Sequence, residues 1–346
     1  MSARLSHRER SARHALRDLG ASLLWAVGAT RPRARGALTI VTFHRVLPPE
    51  EVAAPLPGLC VTPRFLDGAL AFFARHYRCL AVSDAVRALT SGAGRERPLL
   101  AITFDDGRSD NFAHARPLLA RHGVPATFYA VTNAIEAAEP LWPDAIAYEV
   151  RTLAERGAGG RSAIAQIFDA PVPASARDVD LPKLAANLAK AWPAPRIALA
   201  LARLRNATGG ARLPSWERAM RWDELAQLAR DGHEIGSHSA SHAVLLRECA
   251  PDFSAEVAGS KRALEARLDT PVRSFCYPSG LYDDAALAAV TAAGYENATT
   301  TQTGVNRAGS PPFELRRVDV DGLLNARPSG DASPSVLAWR LARSAS

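Results

Sequence analysis

The chain has 346 residues, of which 47% are hydrophobic and 22% are charged, so it is long enough to bury the core of one large α/β domain or two ordinary domains. Its 23 glycines and 24 prolines match average usage, which excludes collagen-like and low-complexity proteins, and no apolar run is long enough to cross a bilayer as a helix. The formal net charge of +7 is concentrated in residues 1–36, which hold eight arginines and two acidic residues. The nearly neutral remainder gives no indication of nucleic-acid binding.

The four cysteines are scattered along the chain without any Cys-x-x-Cys spacing. This pattern excludes a zinc ribbon and argues against a disulfide scaffold. We therefore expect mostly buried thiols in a chain that folds in a reducing compartment, either cytoplasmic or peripheral at the membrane. The cysteines are Cys60, Cys79, Cys249 and Cys276.

The arginine-rich segment of residues 1–36 contains aliphatic residues at helical spacing, from Leu16 to Val27. We favour a solvated helix that packs one face on the domain. One alternative is a basic amphipathic helix that lies on an anionic membrane surface. Another is a secretory signal, although Asp18 and Gly20 interrupt the approach to its short apolar region.

Short apolar runs alternate with helical periods from residue 38 onward. The runs at 38–43, 79–82, 99–104 and 126–131 predict buried strands, and the segments at 63–77, 83–90 and 111–122 predict helices between them. Such alternation indicates βαβ units and therefore a parallel sheet or barrel.

The alternation stops between about residues 139 and 220, where the chain is rich in alanine and arginine and has helical periods without a strong strand. We interpret this region as a helical insertion and not a separate core domain, because the strand–helix rhythm then resumes. Residues 37–325 form one α/β domain in this interpretation, and residues 326–346 are a tail with a short helix. The later elements are helices at 222–230 and 253–268 and strands at 233–237, 274–277, 296–300 and 315–320.

A pair of aspartates closes the third predicted strand, in the run Thr103-Phe104-Asp105-Asp106-Gly107. Two adjacent carboxylates at the end of an apolar strand are costly unless a cation or a proton stabilises them. The alternative is a structural role, in which the two aspartates cap the next helix, and for this motif alone we would favour that role.

Two histidines four residues apart follow a later strand, in the run Gly236-Ser237-His238-Ser239-Ala240-Ser241-His242. This spacing brings both imidazoles to one side of a single helical turn, which is a common geometry for a zinc pair. Chance occurrence is about equally plausible for this motif alone. A third motif, Phe275-Cys276-Tyr277-Pro278-Ser279-Gly280, would by itself be an ordinary strand-ending turn.

Together and in this order, the three motifs resemble those of the NodB-type polysaccharide deacetylases, carbohydrate esterase family four. The resemblance extends from about Leu38 to Gly322, and two neighbouring phrases, Gly123-Val124-Pro125-Ala126-Thr127-Phe128 and Gly232-His233-Glu234-Ile235-Gly236, also resemble the family. It implies a distorted (β/α)7 barrel with the helical insertion and one divalent metal ion, usually zinc. By position, the ligands would be Asp106, His238 and His242, with Asp105 as the general base and the backbone N–H near Ser279 stabilising the oxyanion.

The chain departs from the family pattern at two places. The arginine that often orients the base in the third motif is replaced by Cys276, and no histidine follows His242 to supply the usual late general acid. The run Phe43-His44-Arg45-Val46 resembles the start of the poly-N-acetylglucosamine deacetylase branch, where the acid motif is N-terminal. In a closed barrel the first strand neighbours the last, so we predict His44 as the general acid. The alternative is a histidine that caps the first strand.

These residues predict a metal-dependent hydrolase that removes N-acetyl groups from a carbohydrate, most plausibly a bacterial cell-surface polysaccharide or its precursor. The alternative is a metal-binding but inactive member of the same fold that serves as a carbohydrate-binding or assembly module. The complete set of Asp105, Asp106, His238 and His242 favours the enzyme.

Overall fold

A computed structural model describes residues 7–32, 36–51, 56–92, 97–246, 253–320 and 331–344. These ranges contain eleven strands: β1 (Ala37–Phe43), β2 (Arg45–Val46), β3 (Cys60–Val61), β4 (Arg78–Leu80), β5 (Leu99–Phe104), β6 (Thr127–Ala130), β7 (Glu234–Ser237), β8 (Ser274–Cys276), β9 (Asn297–Thr303), β10 (Asn306–Arg307) and β11 (Leu315–Asp319). The predicted strands at 38–43, 99–104, 126–131, 233–237, 274–277, 296–300 and 315–320 are all present, and no end is shifted by more than three residues.

Seven of these strands form a closed parallel barrel in the order β1-β5-β6-β7-β8-β9-β11. The first strand closes the ring by pairing with β5 over six residues, from Leu38 opposite Leu99 to Phe43 opposite Phe104. On its other side it pairs with the last strand, with Val41 opposite Val318. The predicted (β/α)7 barrel is therefore confirmed, and so is the adjacency of the first and last strands.

The barrel strands are continuous apolar runs because both of their faces are covered, as is usual for parallel sheets. Every residue of β1 and of β5 is buried. Outside them lie helices with one apolar face, and the local signals that start and stop these helices are present in the sequence. The Thr62 hydroxyl accepts a hydrogen bond from the Phe65 N–H at the start of the first barrel helix, and Gly123 ends another with a φ of 61°.

The helices of the described residues are α1 (His7–Ala26), α2 (Pro63–His76), α3 (Val82–Thr90), α4 (Arg116–His122), α5 (Thr132–Ala137), α6 (Trp142–Ala154), α7 (Ala158–Phe168), α8 (Leu181–Ala189), α9 (Ala194–Thr208), α10 (Trp222–Arg230), α11 (Ser260–Leu268), α12 (Asp284–Ala292) and α13 (Pro334–Ser344). Helices α6 to α9 make up the predicted insertion. These helices pack around a hydrophobic cluster that includes Ile146, Phe168, Trp192 and Leu204.

The N-terminal helix α1 packs one face on the domain, as we favoured. The Ser22 and Ser335 hydroxyls are 3.2 Å apart, which joins α1 to α13, and the Trp25 ring lies 5.9 Å from that of Phe72 on α2. Among the residues described, no helix is both long and apolar enough to span a membrane. Cys60 and Cys276 are buried free thiols and Cys79 is a half-buried one, whereas Cys249 lies outside the described residues.

Candidate active site

The two aspartates leave β5 at the carboxyl end of the barrel and take separate directions. Asp105 continues the strand, and its N–H donates to the Phe43 carbonyl oxygen at 3.0 Å. Asp106 and Gly107 then adopt left-handed backbone conformations, with φ of 77° and 65°. A side chain at Gly107 would bring its Cβ within 3.2 Å of the Ala130 Cα, so the chain needs glycine here to make the turn.

The histidine pair lies in an irregular loop after β7. The expectation of a single helical turn was wrong, because Ser239 and His242 both have left-handed backbone conformations, with φ of 65° and 60°. The Glu256 side chain fixes the loop by accepting from the Ser241 N–H at 2.8 Å and from the Ser241 hydroxyl at 2.6 Å. Non-glycine residues in this backbone region are strained, and such strain is concentrated at functional sites.

The loop nevertheless brings both imidazoles to Asp106. The Asp106 Oδ1 lies 3.5 Å from the His238 Nε2 and 3.4 Å from the His242 Nε2, and all three side chains are buried. The three donor atoms lie within 4.8 Å of one another. One carboxylate oxygen and two imidazole nitrogens are a donor set that suits a divalent ion such as zinc and leaves coordination positions open. The predicted ligands therefore fit a metal ion.

Contacts behind the donors fix their orientation. The His238 Nδ1 lies 2.7 Å from the Cys276 carbonyl oxygen, so Nδ1 carries the proton and Nε2 is left as the donor atom. The Trp142 indole N–H, at the start of α6, donates to the His242 carbonyl oxygen at 3.1 Å. Burial lowers the pKa of His242, which favours its neutral, metal-binding form.

Asp106 is held from the other side by a buried arginine. The Arg108 Nε and Nη2 donate to the Asp106 Oδ2 at 3.0 and 2.7 Å, which leaves Oδ1 facing the histidines. Burial alone would raise the pKa of Asp106, but the charge of the neighbouring Arg108 guanidinium outweighs it and holds that pKa well below its usual range. The carboxylate is therefore ionised and ready to bind a cation.

The insertion contributes to the site through Arg108. The Arg108 Nη1 donates to the Asp144 Oδ2 of α6 at 2.6 Å and lies 3.6 Å from the Glu217 Oε1 at the end of the insertion. The same two carboxyl groups contact Arg45, which also lies 3.3 Å from Asp110. Burial raises the pKa of Glu217, and the neighbouring Asp144 raises it further.

Asp105 forms a bidentate ion pair with Arg317 of β11. The Nη1–Oδ1 and Nη2–Oδ2 distances are 2.7 and 2.8 Å, and both side chains are only 3% exposed. Burial would raise the pKa of Asp105, but the Arg317 charge and hydrogen bonds lower it below its usual value. A second donor group of Asp105, His238 and Cys276 is also compact, but Arg317 engages both Asp105 oxygens, so the Asp106 group fits a metal better.

Arg317 also resolves the departure noted in the third motif. Cys276 lies where the family arginine was expected, with its Sγ 3.8 Å from the Asp105 Oδ2. The guanidinium that holds Asp105 comes instead from Arg317 of the last barrel strand, and the Arg317 Nε also donates to the Thr300 carbonyl oxygen at 2.7 Å.

His44 stands directly after β1, and its Nε2 lies 3.8 Å from the Asp105 Oδ2. Its side chain is 26% exposed, whereas the other site residues are almost fully buried, so it lies at the mouth of the site. Ser279 lies in the turn Pro278–Gly280 after β8 and has a left-handed φ of 58°. The role of its N–H as an oxyanion donor stays a prediction.

The match to a family model decides the family. The model of the polysaccharide deacetylase family matches residues 92–169 and 200–298, just over half of the chain, and the unmatched stretch between them lies inside the insertion. The chain belongs to the polysaccharide deacetylase family. No curated protein matches it in sequence.

Solved deacetylase structures share the fold of this family member. The Streptococcus pyogenes deacetylase PplD in complex with acetate superposes with a TM-score of 0.58 at 18% identity, over 88% of this chain and 98% of that one. IcaB from Ammonifex degensii gives 0.56 at 17% identity, over 88% and 97% of the two chains. A de-N-acetylase from Aggregatibacter actinomycetemcomitans gives 0.52 at 14% identity, over 82% and 95%.

Six buried charged residues around the predicted site were not predicted from the sequence. Arg317 lies in a strand that was predicted from its apolar residues, and a charged residue in a buried strand was the signal available for it. Asp144 and Glu217 lie in the insertion, 37 residues after Gly107 and 19 residues before Gly236, so spacing gave no signal for them. The missed residues are Arg45, Arg108, Asp110, Asp144, Glu217 and Arg317.

Proposed function

We propose that this polysaccharide deacetylase is a metal-dependent hydrolase that removes N-acetyl groups from an N-acetylglucosamine-containing polysaccharide or its precursor. The observation that carries the proposal is the arrangement around Asp105 and Asp106 at the carboxyl end of the barrel. Asp105 is paired with Arg317 there, and His44 lies beside it at the partly exposed mouth of the site. Asp106 and the two histidines form the three-donor group next to them.

In this mechanism the metal site and Asp105 have separate roles. Asp106, His238 and His242 would hold a divalent ion such as zinc, which would supply Lewis-acid polarisation of the acetyl carbonyl. Asp105 accepts the proton of the attacking water, because Arg317 keeps its carboxylate ionised and fixed in place. The Asp105 charge is offset by the Arg317 guanidinium, so the base does not have to be a metal ligand.

His44 completes the reaction by protonating the departing nitrogen. An unprotonated amine is a very poor leaving group, so the donor has to reach that nitrogen from within the site. The 3.8 Å distance between the His44 Nε2 and the Asp105 Oδ2 supports an acid that works beside the base, and the Ser279 N–H would stabilise the oxyanion of the tetrahedral intermediate.

The compartment of the protein is part of the proposal. The free thiols of Cys60, Cys79 and Cys276 support a reducing environment, cytoplasmic or peripheral at the membrane.

The proposal is tested by measuring metal content and acetate release together. We expect one divalent ion per chain and acetate release from chito-oligosaccharides or poly-N-acetylglucosamine, with Asp105→Asn as the inactive, metal-bound control. An inactive carbohydrate-binding module would retain oligosaccharides without releasing acetate at any metal loading, and that result would contradict the proposal.

A further inference from the structure

The N-terminal helix α1 has two opposite faces of different character. Ala21 is buried and Trp25 is half-buried against α2, and Ser22 contacts α13. Leu16, Leu19, Leu23 and Val27 follow one another at three- and four-residue spacing and are 69%, 59%, 60% and 75% exposed. We call these four residues the leucine stripe.

The leucine stripe is on the side of α1 that points away from the domain. At 100° of rotation per residue, its members lie about half a turn from Ala21 and Trp25. Helices usually bury their aliphatic side chains on the domain, but here the small and aromatic residues do so and the aliphatic ones are left in solvent. A contiguous exposed apolar surface of this kind marks an interaction site.

Charge decides the nature of the partner. Residues 1–36 carry eight arginines and two acidic residues, so a net charge of about +6 accompanies the leucine stripe, while the other 310 residues carry about +1. A protein groove would need a matching acidic surface, whereas an anionic bilayer combines a hydrocarbon interior with negative headgroups. Burying aliphatic side chains in the interface while arginines remain at the headgroups is how amphipathic helices bind membranes.

A second feature beside α1 has the same combination of chemistry. A cavity of about 710 Å³ opens between α1, α2 and the start of α13. Its lining includes the rings of Trp25 and Phe72 and the exposed arginines Arg31 and Arg75. Aromatic rings together with two guanidinium groups fit the upper acyl chain and the phosphate of an anionic lipid.

We propose that α1 docks the protein on an anionic membrane surface, with the leucine stripe entering the interface and the arginine-lined cavity receiving a lipid headgroup. The helix lies along the surface and does not span it. This attachment is independent of the deacetylase chemistry, and it would keep the enzyme next to a polysaccharide that is made or exported at the membrane.

The test uses the full chain and sedimentation with vesicles. We expect binding to vesicles of phosphatidylcholine mixed with phosphatidylglycerol, at least about 10-fold weaker binding to phosphatidylcholine alone, and weakening by salt. The double variant Leu19→Ser, Leu23→Ser should lose about 10-fold or more in affinity for the anionic vesicles. The matched control Leu184→Ser, Leu199→Ser changes leucines that are 45% and 51% exposed in the insertion, and it should bind like the wild type.

A second variant, Arg31→Glu with Arg75→Glu, tests the cavity and guards against misfolding of the leucine variant. It should weaken binding to anionic vesicles without changing acetate release from soluble oligosaccharides. Equal vesicle binding by the wild type and both variants would overturn the proposal. So would a wild-type dimer that ignores vesicles and dissociates in the leucine variant, because a second copy of the chain would then cover the leucine stripe.

Discussion

Arg317 and Asp105 lie 212 residues apart in the chain and form a bidentate ion pair inside the barrel, with N–O distances of 2.7 and 2.8 Å. The pair joins the last barrel strand to the strand that carries the base. Because both Asp105 oxygens accept hydrogen bonds from one guanidinium, the carboxylate has a fixed orientation and a lowered pKa.

The first prediction concerns this ion pair. In Arg317→Lys, a single ammonium group replaces the guanidinium that contacts both Asp105 oxygens. The pKa of Asp105 should therefore rise towards its ordinary value or above it. Because the base works only when deprotonated, the acidic limb of the kcat profile should move to higher pH, with metal content unchanged. The neighbouring Arg316→Lys is the control, since that side chain is exposed. An unshifted acidic limb would show that Arg317 does not orient the base.

The second prediction separates the two aspartates. Asp105→Asn should keep the metal and lose about 10²–10⁴-fold in turnover, because an amide cannot accept the proton. Asp106→Asn should lose metal affinity first, because it removes a negatively charged ligand. Metal content measured after dialysis against buffer decides between them, and equal loss in both variants would refute the division of roles.

The third prediction concerns the metal itself. Removing the ion with a chelator should abolish acetate release, and adding it back should restore the activity. The double variant His238→Ala, His242→Ala should not retain stoichiometric metal, whereas His114→Ala, which lies in no donor group, should. Protons compete for imidazoles, so metal content in the wild type should also fall below about pH 6. Full metal occupancy in the double variant would show that the metal binds at a different site.

The fourth prediction tests His44 as the acid. His44→Ala should retain the metal and lose about 10²-fold or more in turnover on N-acetyl substrates. An aryl acetate ester has a leaving group that departs without a proton, so the same variant should lose much less activity on that ester. Similar losses on both substrates would indicate that His44 positions Asp105 and does not donate the proton.

The fifth prediction concerns the contribution of the insertion. Asp144 contacts neither the metal donors nor Asp105, yet it holds Arg108, which holds Asp106. Asp144→Asn should therefore lower metal affinity by about 10–100-fold, the usual effect of disturbing the groups behind a ligand. The control is Asp178→Asn, which breaks an exposed ion pair with Arg161 in the same insertion. Equal metal affinity in the two variants would contradict the relay through Arg108.

Local signals in the sequence were sufficient for most of the elements and for naming the residues of the candidate site. Apolar runs such as 38–43 and 99–104 predict buried strands, because a parallel strand covered on both faces has no polar alternation. The order of the Asp105–Asp106 pair, the His238–His242 pair and the turn at Ser279 indicates the family, because each motif stands where a strand ends. His44 was also reached from the sequence, through the closure of the barrel.

Only the tertiary structure determines the contacts between residues that are distant in the chain. The His238–His242 loop is not helical, because its shape is imposed by Glu256 and by left-handed residues that no short-range pattern indicates. Arg317 reaches Asp105 across the barrel, and Asp144 of the insertion holds Arg108, which in turn holds Asp106. Burying one of these charges alone would destabilise the fold, and the cost is offset only when folding brings its partner within hydrogen-bond distance. No single segment of the sequence therefore predicts these charges.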